Sequence, residues 1–337
     1  MKRIIEVTNC PGTLTAGYST YSPAALRSLF ENRKVSHVLE FSNDRNSRKM
    51  IDDNVGRISI SGIQEKMSAI VEKGKVCLTP ENVQGRYIIK PAPDDKRLIH
   101  REHLPANEHL TMQIACQVYA IQTAENGLIF FQNGEPAYIT KRFDVIAENT
   151  KIKHEDFASI SQKTSETHGK HFKYTGSYAD MGSLIQKYVA AWRVEIGRFF
   201  RIILFNYLFG NGDAHLKNFS LQQSANGDYL LSPAYDLLNT SLHISDNDFA
   251  LEGGLFAKDF HSEIYRQKGH PCRDDFACFG KMVGVSDIQI SKIMNTFLVA
   301  QPLVYQLTER SFLNKKLKRI FIRSYEERLD RLRRSSF

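Results

Sequence analysis

The chain lacks the features that would place it in a membrane, a disulfide framework or a zinc site. Its 337 residues contain no run of eighteen apolar residues, which argues against a membrane span. The five cysteines (Cys10, Cys77, Cys116, Cys272 and Cys278) form no CxxC pair. An odd, scattered set suits a reducing cytoplasm better than a disulfide scaffold. Neither Cys nor His shows zinc-ligand spacing. The N-terminus, Met1-Lys-Arg-Ile-Ile-Glu-Val-Thr, has no continuous apolar core of the kind a secretion signal needs. No internal repeat, long low-complexity segment or GxxxxGK[ST] loop is visible. The expectation is a cytoplasmic protein without membrane association.

What is present is ordinary for a globular chain: 42% hydrophobic and 24% charged residues, with enough length for one two-lobed domain or two separate ones. The net charge of +8 is uneven. Lys315, Lys316, Lys318, Arg319, Arg323, Arg328, Arg331, Arg333 and Arg334 crowd the C-terminal end among Leu and Ile, making an amphipathic basic helix. A solvated surface and a face for an acidic partner or nucleic acid both fit it, so it does not decide function.

The first half reads as β-rich. Short apolar or alternating runs at Ile58–Ile60, Lys66–Glu72, Lys75–Leu78, Gly85–Lys90, Gly127–Gln132 and Pro136–Lys141 are broken by Gly, Pro and Asn. Among them, Pro105–Ile121 has helical spacing. From about residue 153 helical periods dominate: Asp180–Ala191, Val194–Phe209, Asp274–Val283, Ser286–Leu298 and Glu309–Arg334, with Ser161–Tyr178 as a polar loop. The expected fold class is α+β and bilobal, a β-rich N-lobe over residues 1–140 and a helical C-lobe over 153–337 joined through 141–152.

The chemistry concentrates in Gly210-Asn-Gly-Asp213-Ala-His215-Leu-Lys217-Asn218-Phe219 and Ser232-Pro-Ala-Tyr-Asp236. An Asp, an Asn five residues on and a second Asp eighteen beyond it match the parts of a kinase-type phosphotransferase. On that reading Asp213 orients the attacking hydroxyl and takes its proton, while Asn218 and Asp236 offer hard oxygens to Mg²⁺. His215 orients the loop. Lys217 either neutralises the transferring phosphoryl group or is a solvated lysine. Upstream, Ser59-Ile-Ser61-Gly62-Ile-Gln64-Glu65-Lys66 reads either as a phosphate-binding turn or as a plain hairpin, and Lys66 as a phosphate contact or a strand lysine. Lys90 ends the apolar strand Tyr87-Ile-Ile-Lys90, and Glu108 opens the next helix as its candidate partner.

In this order the motifs resemble the HipA family of serine/threonine kinases, the toxin half of bacterial type II toxin–antitoxin systems. They are Ser61-Gly-Ile-Gln-Glu-Lys66, Ile88-Ile-Lys90-Pro, Asn107-Glu108, Lys141-Arg-Phe-Asp144, His154-Glu-Asp-Phe157, Gly212–Phe219 and Ser232–Asp236. Only some 55 residues precede the phosphate loop, which resembles the short HipT kinases of tripartite systems rather than the long HipA toxins. The resemblance implies a bilobal kinase fold using ATP and Mg²⁺, with Ser61, Gly62, Gln64, Lys66, Lys90, Glu108, Lys141 and Phe143 around the nucleotide. It further implies autophosphorylation at Ser59 or Ser61, an aminoacyl-tRNA synthetase as substrate (the tryptophanyl enzyme ahead of the glutamyl), and HipS-like and HipB-like partners with only indirect or weak DNA contact. A small-molecule phosphotransferase and an inactive kinase fold that binds a repressor stay open beside it.

Overall fold

The computed structural model describes residues 6–43, 65–147, 150–256 and 260–335. The expected strand Ile58–Ile60 and the loop residues Ser59, Ser61, Gly62 and Gln64 lie outside these residues.

After α1 (Pro23–Phe30), β1 (Met67–Glu72), β2 (Lys75–Leu78) and β3 (Tyr87–Pro91) lead into α2 (Leu104–Gln117), followed by β4 (Asn126–Phe130) and β5 (Pro136–Lys141). The five strands form one antiparallel sheet in the order β2-β1-β3-β5-β4. Period-two alternation divides its side chains between two cores. Met67, Ala69, Tyr87, Ile89, Ile129, Phe131, Ala137 and Ile139 pack with Ala25, Leu29 and Phe30 of α1. Leu128, Phe130 and Tyr138 instead join the larger core with Leu110 and Ile114 of α2. Lys90 follows Ile89, so it projects on the opposite face from α1, opposite Tyr138 in the strand register. That alternation carries a lysine out of an apolar strand into a cleft.

Beyond β5 come a small pair, β6 (Val145–Ala147) and β7 (Thr150–Lys151), then β8 (His154–Asp156) with the one-turn helices α3 (Phe157–Ile160) and α4 (Ser165–His168). α5 (Tyr178–Tyr188) begins at a capping box, in which the Ser177 hydroxyl accepts from Asp180 N and the Asp180 carboxylate accepts from Ser177 N. α6 (Trp192–Leu208) is buried almost all round its circumference and is the axis of the larger core. β9 (Ser220–Gln223) and β10 (Tyr229–Leu231) complete a second antiparallel sheet, β10-β9-β8. α7 (Glu263–Lys268), α8 (Arg273–Met282), α9 (Asp287–Phe297), α10 (Pro302–Arg310) and α11 (Lys315–Arg333) follow.

Two readings of the sequence need correction. The run Glu309–Arg334 is two helices, not one. Ser311 is extended, Leu313 is buried, Phe312 packs against Phe130 at 5.6 Å, and the Asn314 side chain accepts from Leu317 N at 2.9 Å to start α11. Helical period cannot register an N-cap that lies inside it. The Pro105–Ile121 helix ends at Gln117, and Ala120 takes a left-handed conformation at φ 49° before Ile121 re-enters the core. Among the described residues, no helix is long and apolar enough to cross a membrane.

Candidate active site

Three chain segments converge on one buried ammonium. Lys90 Nζ donates to Glu108 Oε1 at 2.6 Å and to Asp236 Oδ1, with its side chain 5% exposed. Burial opposes the charge on Lys90, but the two carboxylates outweigh it and raise its pKa. Burial likewise works against Asp236, and the positive charge around it, Lys90 first and then Lys66, more than offsets it, so the Asp236 carboxyl lies well below the ordinary range. For Glu108 burial wins over Lys90, and its pKa is raised. Asp236 also adopts φ 56°, an unusual backbone for a non-glycine residue and of the kind that concentrates at functional sites.

The second half of the site is the turn that follows α6. Gly210 takes φ 64°, and the Gly212 N–H donates to Thr240 Oγ1 at 2.8 Å. A Cβ on Gly212 would stand 2.4 Å from Asp246 Cγ, so only glycine fits there. The short 3-10 turn Leu216–Asn218 is closed by Asn218 Oδ1 accepting from His215 N at 3.1 Å. Asn218 Nδ2 donates to Asp236 Oδ2 at 3.2 Å, which joins the turn to the Lys90 triad. Asp213 sits at the mouth with its side chain 46% exposed, accepting the Tyr174 hydroxyl at 2.8 Å. Partial burial raises its pKa, and the Tyr174 hydrogen bond opposes that rise. His215, buried beside it, is held neutral: burial, reinforced by Lys173, brings its pKa down to about 3. It orients by shape rather than by charge.

Lys90, Asn218 and Asp236 line a cleft of about 630 Å³ between the first sheet and the helical half, together with Lys66, Lys141, Phe143, His215 and Lys217. Its apolar wall is Ile88, Ala124, Phe143 and Tyr235, with Phe143 and Tyr235 stacked at 5.8 Å. A smaller cavity of about 270 Å³ shares Lys66, Lys90 and Asp236 and extends past Asp213 and Tyr174. Lys141 reaches this cleft but pairs with Glu31 at 2.8 Å, and Lys217 lies 3.4 Å from Asp156. Every described candidate therefore borders one or both of these two cavities, which share part of their lining. Tyr174, Lys173 and Asp246 were not legible in the sequence: they lie in polar loops without motif or period, and only the fold brings them to Asp213.

Asp236 and Asn218 carry oxygens of the kind that suits a divalent cation. Asp236 is held ionised, and the Asn218 carbonyl keeps a second lone pair beyond its bond to His215 N. A carboxylate and an amide oxygen suit a hard cation that retains several waters. Among the described residues no three His, Cys, Asp or Glu side chains cluster as a metal site.

Comparison with known proteins decides the family, because the HipA-like C-terminal domain model matches residues 58–301. The chain belongs to that family. A Haemophilus influenzae protein named "Putative kinase" is 28% identical over 329 residues, covering 92% of each chain. Among solved structures, HipA of Shewanella oneidensis MR-1, from the toxin–antitoxin complex of HipA, HipB and operator DNA, superposes with a TM-score of 0.56 at 19% identity. That match covers 81% of this chain and 63% of HipA, so the chain spans less than two-thirds of the toxin. The Helicobacter pylori proinflammatory kinase CtkA superposes at 0.50 with 14% identity, over 78% of this chain and 93% of that one. The α+β, bilobal, kinase-like fold is thereby established for this HipA-like chain.

Proposed function

We propose that this HipA-like chain is a cytoplasmic Mg²⁺- and ATP-dependent serine/threonine protein kinase, with residues 1–140 and 153–337 as its two lobes and 141–152 between them. The observation that carries the reading is the buried Lys90 ammonium held between Glu108 and Asp236 beside a half-exposed Asp213. A cation that binds two carboxylates so tightly in a cleft is suited to bridging phosphate oxygens. Phe143, Tyr235, Ile88 and Ala124 supply an apolar wall of the kind that takes a purine ring.

The acceptor oxygen attacks the γ-phosphorus, the bond from that phosphorus to the β,γ-bridging oxygen breaks, and ADP leaves. The acceptor proton passes to Asp213, whose raised pKa favours receiving it. Lys66, Lys90 and Lys217 bring positive charge to the transferred group. Mg²⁺ held by Asn218 and Asp236 would supply charge neutralisation at the phosphates.

Within this reading the chain is the toxin of a type II system of the short HipT kind. It phosphorylates an aminoacyl-tRNA synthetase, the tryptophanyl enzyme ahead of the glutamyl, and self-modifies on Ser59 or Ser61. A HipS-like antitoxin and a HipB-like DNA-binding protein are its partners. The solved HipA–HipB–operator assembly supports a repressor partner by likeness of fold. A phosphoserine in the loop would bring about −1.5 to −2 charges to where nucleotide phosphates bind and restrain the kinase.

The test is phosphosite mapping by mass spectrometry after incubating the pre-dephosphorylated protein with Mg-ATP, beside Asp213→Asn. Phosphate on Ser59 or Ser61 in the unmodified sequence only is the expected result. No self-labelling together with no ATP binding overturns the kinase reading.

A further inference from the structure

The contact between Tyr174 and Asp213 is the one an acceptor alcohol makes with its general base. A phenolic hydroxyl lies 2.8 Å from the Asp213 Oδ1 atom, in donor geometry, at the exposed edge of the cleft. The ring packs edge-on against His215 at 5.2 Å, and Lys173 Nζ lies 4.9 Å from the Tyr174 ring centroid. The hydroxyl is therefore directed by packing and not by chance rotation of an exposed side chain.

The segment carrying it is held lightly. Between Ala158 and Ser177 no described side chain is buried. Its regular structure is one four-residue helix, Ser165–His168, and the three-residue turn Phe172–Tyr174. Near Tyr174 it is tied by Glu252 N to Tyr174 O, Gly253 N to Gly176 O and Lys163 Nζ to Thr175 O, each at 2.9 Å. Gly169 at φ 71° and Gly176 at φ 98° flank the turn. A segment with few apolar anchors and exposed hydrogen bonds opens at low cost.

We propose that the Tyr174 hydroxyl occupies the acceptor position of the site, so that residues 161–177 form a displaceable stopper that an acceptor hydroxyl must replace at Asp213. This rests on the kinase reading and adds regulation of the same site. While the phenol holds Asp213 Oδ1, water, the commonest wrong acceptor, must compete with it for that oxygen just as a protein hydroxyl must, the rest of the carboxylate being open to solvent.

The experiment uses Mg-ATP with water as the acceptor. Tyr174→Phe removes one oxygen and keeps the ring against His215. Hydrolysis of Mg-ATP without any protein acceptor should rise about two- to tenfold, the worth of one hydrogen bond released. Asp213→Asn in the same background should abolish the gain. Unchanged or slower hydrolysis in Tyr174→Phe, with self-labelling of the parent intact, overturns the stopper and leaves the kinase standing. A parent that neither labels itself nor turns over Mg-ATP removes both.

Discussion

Replacing Lys90 by Met tests the central element of the site. The Lys90 side chain is 5% exposed and Glu108 2%, so the change leaves Glu108 buried without its cation and Asp236 without its main partner. Breaking a buried ion pair from one side costs about 3–5 kcal/mol, because the remaining charge has no compensation. Unfolding entropy of ~2.1 cal/mol/K per residue gives a chain of this length ~0.7 kcal/mol/K, so Tm should fall by about 4–7 °C. Thermal denaturation followed by circular dichroism measures this directly.

A second variant separates stability from chemistry. Lys90→Met combined with Glu108→Gln removes the unpaired buried charge, and should recover more than half of the lost Tm. Mg-ATP self-labelling should stay absent in both variants, because neither restores a cation to the phosphates. An unchanged Tm in Lys90→Met would refute the assignment of Lys90 as the joint between sheet and helical half. Retained labelling would refute its role at the nucleotide.

Gly212→Ala should destabilise the turn by about 1–3 kcal/mol, since its Cβ would meet Asp246 Cγ at 2.4 Å and Asn247 O at 2.6 Å. Labelling should fall with it because Asp213 is the next residue, and a variant with unchanged Tm would sink the steric argument. Acid sensitivity should come from the buried histidines. His109 and His215 have pKa values lowered to about 4 and about 3, mainly by burial. The unfolded chain therefore binds more protons below about pH 6.5, and stability falls as pH drops from there. Tm measured between about pH 7.5 and 5 should decline from about 6.5 downward, and His109→Gln should flatten the slope; a flat parent curve would contradict it.

The parts legible from sequence were those whose physics is local. Alternation along β3, β4 and β5 announces which residues face a core, and it puts Lys90 on the face opposite Ile89, away from α1. The Asp213, Asn218 and Asp236 spacing is readable because the turn after α6 and the loop after β10 carry all three. What was hidden depends on contacts distant in sequence. Tyr174 reaches Asp213 across 39 positions from a segment with no periodicity. Glu31 of the α1 C-cap pairs with both Arg86 and Lys141, although α1 itself was not read from the sequence. The split between α10 and α11 turned on one capping Asn inside a continuous helical period.

These contacts set a competition at the centre of the site. Lys90 stands on β3, Glu108 on α2 and Asp236 on a loop of the helical half, so the ammonium joins both sides of the cleft. Asp236 Oδ1 takes that ammonium and Oδ2 the Asn218 amide, which leaves no side chain of the triad idle. Phosphate oxygens entering here must share Lys90 with Asp236, and a cation at Asp236 must share its carboxylate with Lys90. Each would relieve what the other disturbs, because the anion replaces the carboxylate at Lys90 while the cation replaces Lys90 at the carboxylate. Nucleotide and Mg²⁺ should therefore bind with positive coupling. Glu108 keeps Lys90 in place throughout, being 2% exposed and on a helix buried in the larger core. On this account Glu108→Gln should weaken the coupling between nucleotide and Mg²⁺ more than it weakens either affinity alone. Calorimetric titration of ATP with and without Mg²⁺ measures that difference, and an undiminished coupling would show that Glu108 does not set the position of Lys90.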